Sequence, residues 1–545
     1  SLKAQSAPVL VATHGAGGEV VKAKFWQLEF KRRERTWIVL PTGRSPWGYD
    51  WHGISTMNVL NSIQSLADDL PGVPDSLKSL PGIRPDPDRL FISGHSNGGQ
   101  GAWYLVTHFP DKAIAAAPAA GYANIKQYVS YANWVGNSYS DALLRGILES
   151  SIIEFDNNLH MSNVVGIPVM ARTGGIDDNV PPINSRMMVR LGQEYSGNMS
   201  SITLSEVSGA NHWFVGILSD ATVQKFMSRH LKDSIAPYHS PEDGLNQGCG
   251  IVTPELEDSD DTRVEHPPFP SFFEVTVVNP AGMESKGGIF IEQLAVPFRK
   301  GSVKVEIVVN KDRKGTPSTT WILKTTNVRR FSFPDSPSLQ LRRGEISNLV
   351  IDGVVFRMDG FRLAGTSNHF SEGTFVRDHL LKMSRKWLFS ESQEWKRKER
   401  HRDTYGPAIQ ILEKKTLIIL GTRFSSRMPT EPDYDQDDDN DTLYDPSKLS
   451  KTMGGHQHRP HLDLRKTAER VAKLVAHDIY MYGRGDVDIL TDKEYLSLAE
   501  SLDSRLDSDF SERTNLVLIG DEDQNTVTKL VLGRVDQEGK VLMTN

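Results

Sequence analysis

The stretch Gly94-His95-Ser96-Asn97-Gly98-Gly99 constrains this chain more than any other. Its Gly-x-Ser-x-Gly spacing puts a serine on a sharp turn from a strand into a helix, with neighbours small enough for the helix to pack close. The flanks agree with that reading. Arg89-Leu90-Phe91-Ile92-Ser93 reads as a short buried strand entering the turn. Gly99 to Phe109, with Trp103, Leu105 and Val106, reads as the helix leaving it. Such a turn belongs in a mainly parallel sheet with helices on both faces. A serine hydroxyl is a weak nucleophile, so the chemistry also requires a general base and an acid that orients it.

In sheets of this kind the chain order is nucleophile, acid, histidine. The strand-like run Gly166 to Arg172 leads into Thr173-Gly174-Gly175-Ile176-Asp177-Asp178-Asn179-Val180-Pro181. Asp177 is the expected acid, and Asp178 is expected to cap or brace the loop. The alternating run Ser201 to Val207 leads into Ser208-Gly209-Ala210-Asn211-His212-Trp213-Phe214, which makes His212 the expected base. His14, His95 and His108 lie too early or too close to the serine to fit that order. The oxyanion requires backbone N–H donors. Asn97 supplies one by its position after Ser96. The glycine-rich loop after the apolar strand Val9 to Thr13 offers Ala16 and Gly17 as the others. Trp51 and His52 follow the strand Trp37 to Leu40, Tyr122 opens an insertion over 121–163, and Trp213 adjoins His212. These four are candidate pocket residues, with aromatic core packing as the competing reading.

The motifs Leu40-Pro41-Thr42-Gly43, Asp50-Trp51-His52, Gly94 to Gly101, Asp177 to Pro181 and Asn211 to Phe214 carry a family likeness. From about Pro8 to Leu231 the chain resembles the catalytic domain of the prolyl oligopeptidase family of serine peptidases, in the α/β-hydrolase superfamily. Within that family it is similar to uncharacterised fungal members. The resemblance implies an α/β-hydrolase fold, Asp177 as the acid of a Ser96–Asp177–His212 triad, and cleavage of peptide bonds. The chain departs from the family in three ways. No β-propeller precedes residue 9, Thr173 stands where many relatives have histidine, and the long C-terminal half lies outside the usual architecture. The first strand begins at Val9, so the N-terminal strands of the fold are expected to be missing.

At 545 residues the chain is long enough for several cores. A hydrophobic content of 38% and a charged content of 24% suit an ordinary polar-surfaced protein. The net charge of −7 gives no support to a nucleic-acid partner. No apolar run reaches the roughly 18 residues a membrane span requires. The single cysteine, Cys249, excludes an internal disulfide. Together with the lack of a signal-peptide pattern it points to the cytoplasm, and the non-methionine start leaves an extracellular, processed form open. No cofactor or metal is expected. The acidic loop Asp433 to Asp441 lacks the glycine of a calcium loop, and His456, His458 and His461 have no second set of ligands.

The expected organisation is an α/β-hydrolase domain over 1–235 with a lid-like insertion at 121–163, then an acidic, proline-rich linker over 236–271. A β-sandwich-like domain follows over 272–365, and 366–545 holds a charged helix and a small α/β domain. Residues 372–402 are read as that helix, with its basic end Lys396 to Arg402 facing solvent. The expected function is a serine hydrolase acting on a peptide or small acyl substrate, most simply a peptidase. A carboxylic ester hydrolase with the same triad and a catalytically silent interaction protein are the alternatives, and oligomerisation is open to the C-terminal domains.

Overall fold

The computed structural model describes residues 6–18, 24–78, 83–129, 141–233, 269–311, 317–334, 339, 346–358, 373–377, 386–406, 408–424, 464–501 and 514–532. Two compact units divide the chain, Ser1–Glu413 and Lys414–Asn545. Cys249, the acidic linker, the acidic loop at 433–441 and the histidine cluster at 456–461 lie outside the described residues.

The first unit opens with β1 (Ala7–Thr13), a short helix α1 (Lys24–Leu28), β2 (Trp37–Val39), α2 (Ile54–Asp69), a single turn α3 (Asp75–Lys78) and β3 (Pro85–His95). After them come α4 (Asn97–His108), β4 (Ala113–Ala119), α5 (Ile125–Tyr128), α6 (Ala142–Ile152), β5 (Val169–Gly174), α7 (Ile183–Ser196), β6 (Ile202–Val207) and α8 (Ala221–Asp233). The six strands form one sheet in the order β2-β1-β3-β4-β5-β6, with every pairing parallel. This is the α/β-hydrolase architecture that the strand and helix alternation implies. The central strands β1, β3 and β4 are buried almost end to end, as a sheet covered on both faces requires. One apolar cluster packs α2, α4 and α7 on one face, with Trp51, Ile63, Trp103 and Met188. The other packs α1 and α8 on the opposite face, with Trp26, Phe91, Leu218 and Met227.

Two further sheets complete the unit. One runs β13-β12-β10-β9-β7, from β7 (Phe272–Val277), β9 (Gly301–Lys311), β10 (Pro317–Thr326), β12 (Asn348–Ile351) and β13 (Val354–Arg357). The other runs β15-β14-β11-β8, from β8 (Phe290–Leu294), β11 (Val328–Ser332), β14 (Thr374–Arg377) and β15 (Trp387–Ser390). Phe273, Trp321, Phe331, Phe375 and Trp387 fill a single core between them.

The structure departs from expectation in three places here. The run Val350 to Phe356, read as one strand, is a hairpin. Asp352 and Gly353 both take positive φ, 48° and 88°, the backbone that a two-residue Asp-Gly turn requires. The segment 372–402, read as a solvated helix, instead supplies β14 and β15. Its basic end lies over aromatic rings. The Arg402 guanidinium is 4.1 Å from the Phe290 ring centre, Arg400 faces Phe298 and Tyr405, and Arg329 and Arg330 pair with Glu399. The second half of the 121–163 insertion is interior rather than a lid. Asn157, His160, Ser162 and Asn163 are buried, and Asn163 hydrogen-bonds both the Thr107 carbonyl and the Thr276 backbone of β7.

The second unit carries a parallel sheet β17-β16-β18, from β16 (Lys415–Leu420), β17 (Asp488–Thr491) and β18 (Thr514–Ile519). The helix Leu464–Gly483 connects β16 to β17, with Ala468, Ala472 and Ile479 buried. This is the small α/β domain that its two apolar strands and helical face predict.

Candidate active site

Three loops at the C-terminal ends of β3, β5 and β6 bring the expected residues together. At the end of β3, Ser96 takes φ 59° and ψ −122°, a backbone that L-residues avoid. Its N–H donates to the Ala119 carbonyl at 2.9 Å, and its carbonyl accepts from Gln100 as α4 begins. The turn needs its glycines. A Cβ on Gly94 would lie 2.1 Å from the Gly98 carbonyl oxygen, and one on Gly98 would lie 2.0 Å from that of Thr13. The Thr13 hydroxyl fastens the turn by donating to the Gly98 carbonyl at 2.6 Å.

His212 Nε2 stands 2.8 Å from Ser96 Oγ. Its Nδ1 stands 2.8 Å from Asp177 Oδ2. The other Asp177 oxygen accepts from the backbone N–H groups of Val180 and Asn179 at 2.8 and 3.0 Å, so the carboxylate is fixed and its side chain is buried. Asp178 is exposed and donates its N–H to Asn211, the bracing role expected of it. Asn211 also accepts the His212 N–H at 2.7 Å and so sets the approach of the histidine loop.

The remaining expected residues divide. Asn97 begins α4 directly behind Ser96 and is buried. Ala16 and Gly17 are exposed, whereas Gly15 lies closest to the serine, where an added Cβ would be 3.3 Å from Ser96 Cβ. Trp51 is wholly buried and lines no pocket. Its ring lies against Gly101, and its Nε1 donates to the His14 carbonyl at 3.1 Å, bracing the loop that holds Gly15. His52 is likewise a packing residue, stacked on Phe155 at 4.0 Å and accepting from the Gln100 amide. Burial pushes its pKa down to about 3, so it is neutral. Tyr122 is buried and stacked on Tyr128 with ring centres 4.7 Å apart. Trp213 is 41% exposed and stands with its ring edge-on to His95 at 4.8 Å.

His95 was set aside on chain order as a base, yet the structure gives it a place. Its Nε2 donates to the His212 carbonyl at 2.9 Å, and burial lowers its pKa to about 4, which keeps it neutral. It ties the strand before the nucleophile to the loop of the base. The signal for it was its position beside Ser96. Gly15 carried no comparable signal, because close backbone approach leaves no trace in side-chain pattern. Among the described residues no group of histidine, cysteine, aspartate and glutamate is arranged to hold a metal ion.

Residues 47–234 match the model of the prolyl oligopeptidase family. The chain carries a prolyl oligopeptidase-family domain. A protein of Arthroderma benhamiae described as an uncharacterized secreted protein is 34% identical over 339 residues, covering 61% of this chain and 31% of that one. This chain thus spans about a third of the length of that relative. Among solved structures, an acylaminoacyl peptidase of Pyrococcus horikoshii is 18% identical with a TM-score of 0.30, covering 43% of this chain and 38% of its own. An S-formylglutathione hydrolase from Agrobacterium tumefaciens is 16% identical with a TM-score of 0.29, covering 42% of this chain and 84% of its own. The family match makes the first domain a serine-hydrolase domain.

Proposed function

We propose that this protein is a serine peptidase in which Ser96, His212 and Asp177 act as the catalytic triad. The observation that carries the reading is the unbroken line from Ser96 Oγ through the His212 imidazole to Asp177, with both contacts at 2.8 Å. In this account Ser96 Oγ attacks the substrate carbonyl as His212 Nε2 takes its proton. Asp177 holds the Nδ1–H tautomer and stabilises the imidazolium that forms. The Asn97 N–H and the loop around Gly15 face the developing oxyanion. His212 then protonates the departing amine, and water releases the acyl group by the same steps in reverse.

The family match favours an amide over an ester as the bond broken. The same geometry performs ester hydrolysis, so parallel assays on matched amides and esters decide the point. The description of the Arthroderma relative as secreted supports an extracellular place of action over the cytoplasmic one first expected. No helix among the described residues is long and apolar enough to cross a membrane. A fluorophosphonate probe is expected to label the wild-type chain and not Ser96→Ala. Labelling of both chains equally, or of neither, overturns the reading.

A further inference from the structure

Asp50 sits where a bare carboxylate is unwelcome. It lies in the short turn Gly48–Trp51, which packs on α4 directly behind the nucleophile. Tyr49, Asp50 and Trp51 take φ of 52°, 50° and 56° in succession, a strained run for three residues with side chains. The turn is held in place from the nucleophile side. The Asn97 side-chain amide donates to the Trp47 carbonyl at 2.5 Å and to the Asp50 carboxylate. Asp50 is half-buried, and no lysine or arginine among the described residues pairs with it. Burial accordingly raises its pKa from the ordinary aspartate value.

A negative charge hydrogen-bonded to Asn97 opposes a second negative charge developing at the N–H of the same residue. The conflict is removed if the bound substrate brings a positive charge of its own. The surroundings suit one. Tyr49, Tyr122 and Tyr128 all feel the charge of Asp50, and Tyr128 also feels that of Asp177, so this cluster borders the triad. The Tyr122 and Tyr128 rings are stacked, and the buried Tyr122 hydroxyl has no hydrogen-bond partner. A carboxylate beside phenol rings and an unused hydroxyl is the chemistry that holds an organic ammonium ion.

We propose that Asp50, with Tyr122 and Tyr128, binds an ammonium group of the substrate close to the scissile bond and so selects cationic substrates for Ser96. The inference rests on the serine-hydrolase reading above. The ammonium belongs either to a free α-amino terminus or to a basic side chain, and one experiment separates the two.

The test uses the full chain and peptide anilides in matched sets. One pair differs only in acetylation of the α-amine, and a second only in lysine against norleucine. The wild type is expected to favour the cationic member of one pair by roughly tenfold or more in kcat/KM, chiefly through KM. The pair that shows the preference identifies the source of the charge. In Asp50→Asn the ratio is expected to fall toward one, and in Asp50→Glu to be partly kept. Fluorophosphonate labelling of Ser96 in Asp50→Asn shows that the variant is folded and its nucleophile reactive. If that variant does not fold, competitive inhibition of the wild type by a simple alkylammonium ion replaces it, with N-acetylated substrate resisting that inhibition. A wild type indifferent to charge in both pairs, or an unchanged ratio in Asp50→Asn, overturns the assignment of Asp50. A wild type that the fluorophosphonate does not label fails the underlying hydrolase reading instead.

Discussion

Ser96 holds a backbone that an L-residue avoids, and its neighbours explain how the chain keeps it there. Gly94 and Gly98 admit the close approach of α4 to β1, the Thr13 hydroxyl ties the turn shut, and the Ala119 carbonyl takes the Ser96 N–H. The three reactive residues were legible in sequence because each closes a strand and each has a fixed place in chain order. The partners that tune them were not. Gly15, His95 and Asp50 act through backbone approach, a carbonyl contact and a strained turn, and none of these has a residue-type signature. At this scale Asp177 is the sharpest probe. Its two backbone hydrogen bonds hold the carboxylate in place whatever the histidine does, so Asp177→Asn is expected to keep the loop. It loses the acceptor that selects the productive tautomer of His212, and kcat is expected to fall by roughly 10⁴-fold. Steady-state kinetics with a thermal melt check this, and a loss below about tenfold with an unchanged melt contradicts the assigned role.

Among the elements, strands buried on both faces were the easiest to read, because runs such as Val9 to Thr13 and Leu417 to Leu420 are continuously apolar. The strands β14 and β15 escaped notice. Each has four residues, too few to show an alternation, and they lie beside a run of basic side chains. Those basic groups looked solvated because their partners, Phe290, Glu399 and Tyr405, are distant in sequence or of another chemical type. The segment Asn157–Val164 hid for the opposite reason. Its polar residues read as surface, but they serve as internal hydrogen-bond partners for β7. Asn163 Nδ2 donates to the Thr107 and Thr276 carbonyls and Oδ1 accepts the Thr276 N–H at 2.7 Å. Asn163→Ala strands all three groups in the interior. A loss of about 2–5 kcal/mol is expected, since each stranded buried group costs about 1–3 kcal/mol and water recovers part. Urea unfolding measures it, and a loss under about 0.5 kcal/mol would show that the contact does not join the sandwich to the hydrolase domain.

The whole first unit is one fold rather than a hydrolase domain beside an accessory one. Asp111, at the end of α4, accepts from Ser285 Oγ and from the N–H groups of Gly287 and Gly288 at 2.7–2.9 Å, and Lys286 Nζ reaches the Val165 carbonyl. The seam also encloses Glu154, hydrogen-bonded by Tyr104 and Asn279. Burial there, with Glu413 nearby, pushes its pKa from 4.5 up to about 7. The folded chain therefore keeps a proton on Glu154 that the unfolded chain has lost, and this group's contribution to stability falls as pH rises from about 4.5 to 7. His52, His95 and His160 act the other way. Burial holds them neutral down to about 3 or 4, so their contribution rises with pH up to about 6.5. Glu154→Gln removes only the first effect. Relative to the wild type it is expected to gain about 2–3 kcal/mol between pH 4.5 and 7. Melting temperatures across that range test it, and parallel curves for the two chains would place the Glu154 pKa in the ordinary range.

The claim on which the rest depends is that Ser96 is a nucleophile activated by His212. Mass-spectrometric mapping of the residue modified by a fluorophosphonate tests it most directly, across wild type, Ser96→Ala and His212→Ala. The account predicts a single adduct on Ser96 in the wild type, none in Ser96→Ala, and a rate reduced by several orders of magnitude in His212→Ala. An adduct on another residue, or a rate indifferent to His212, would contradict it.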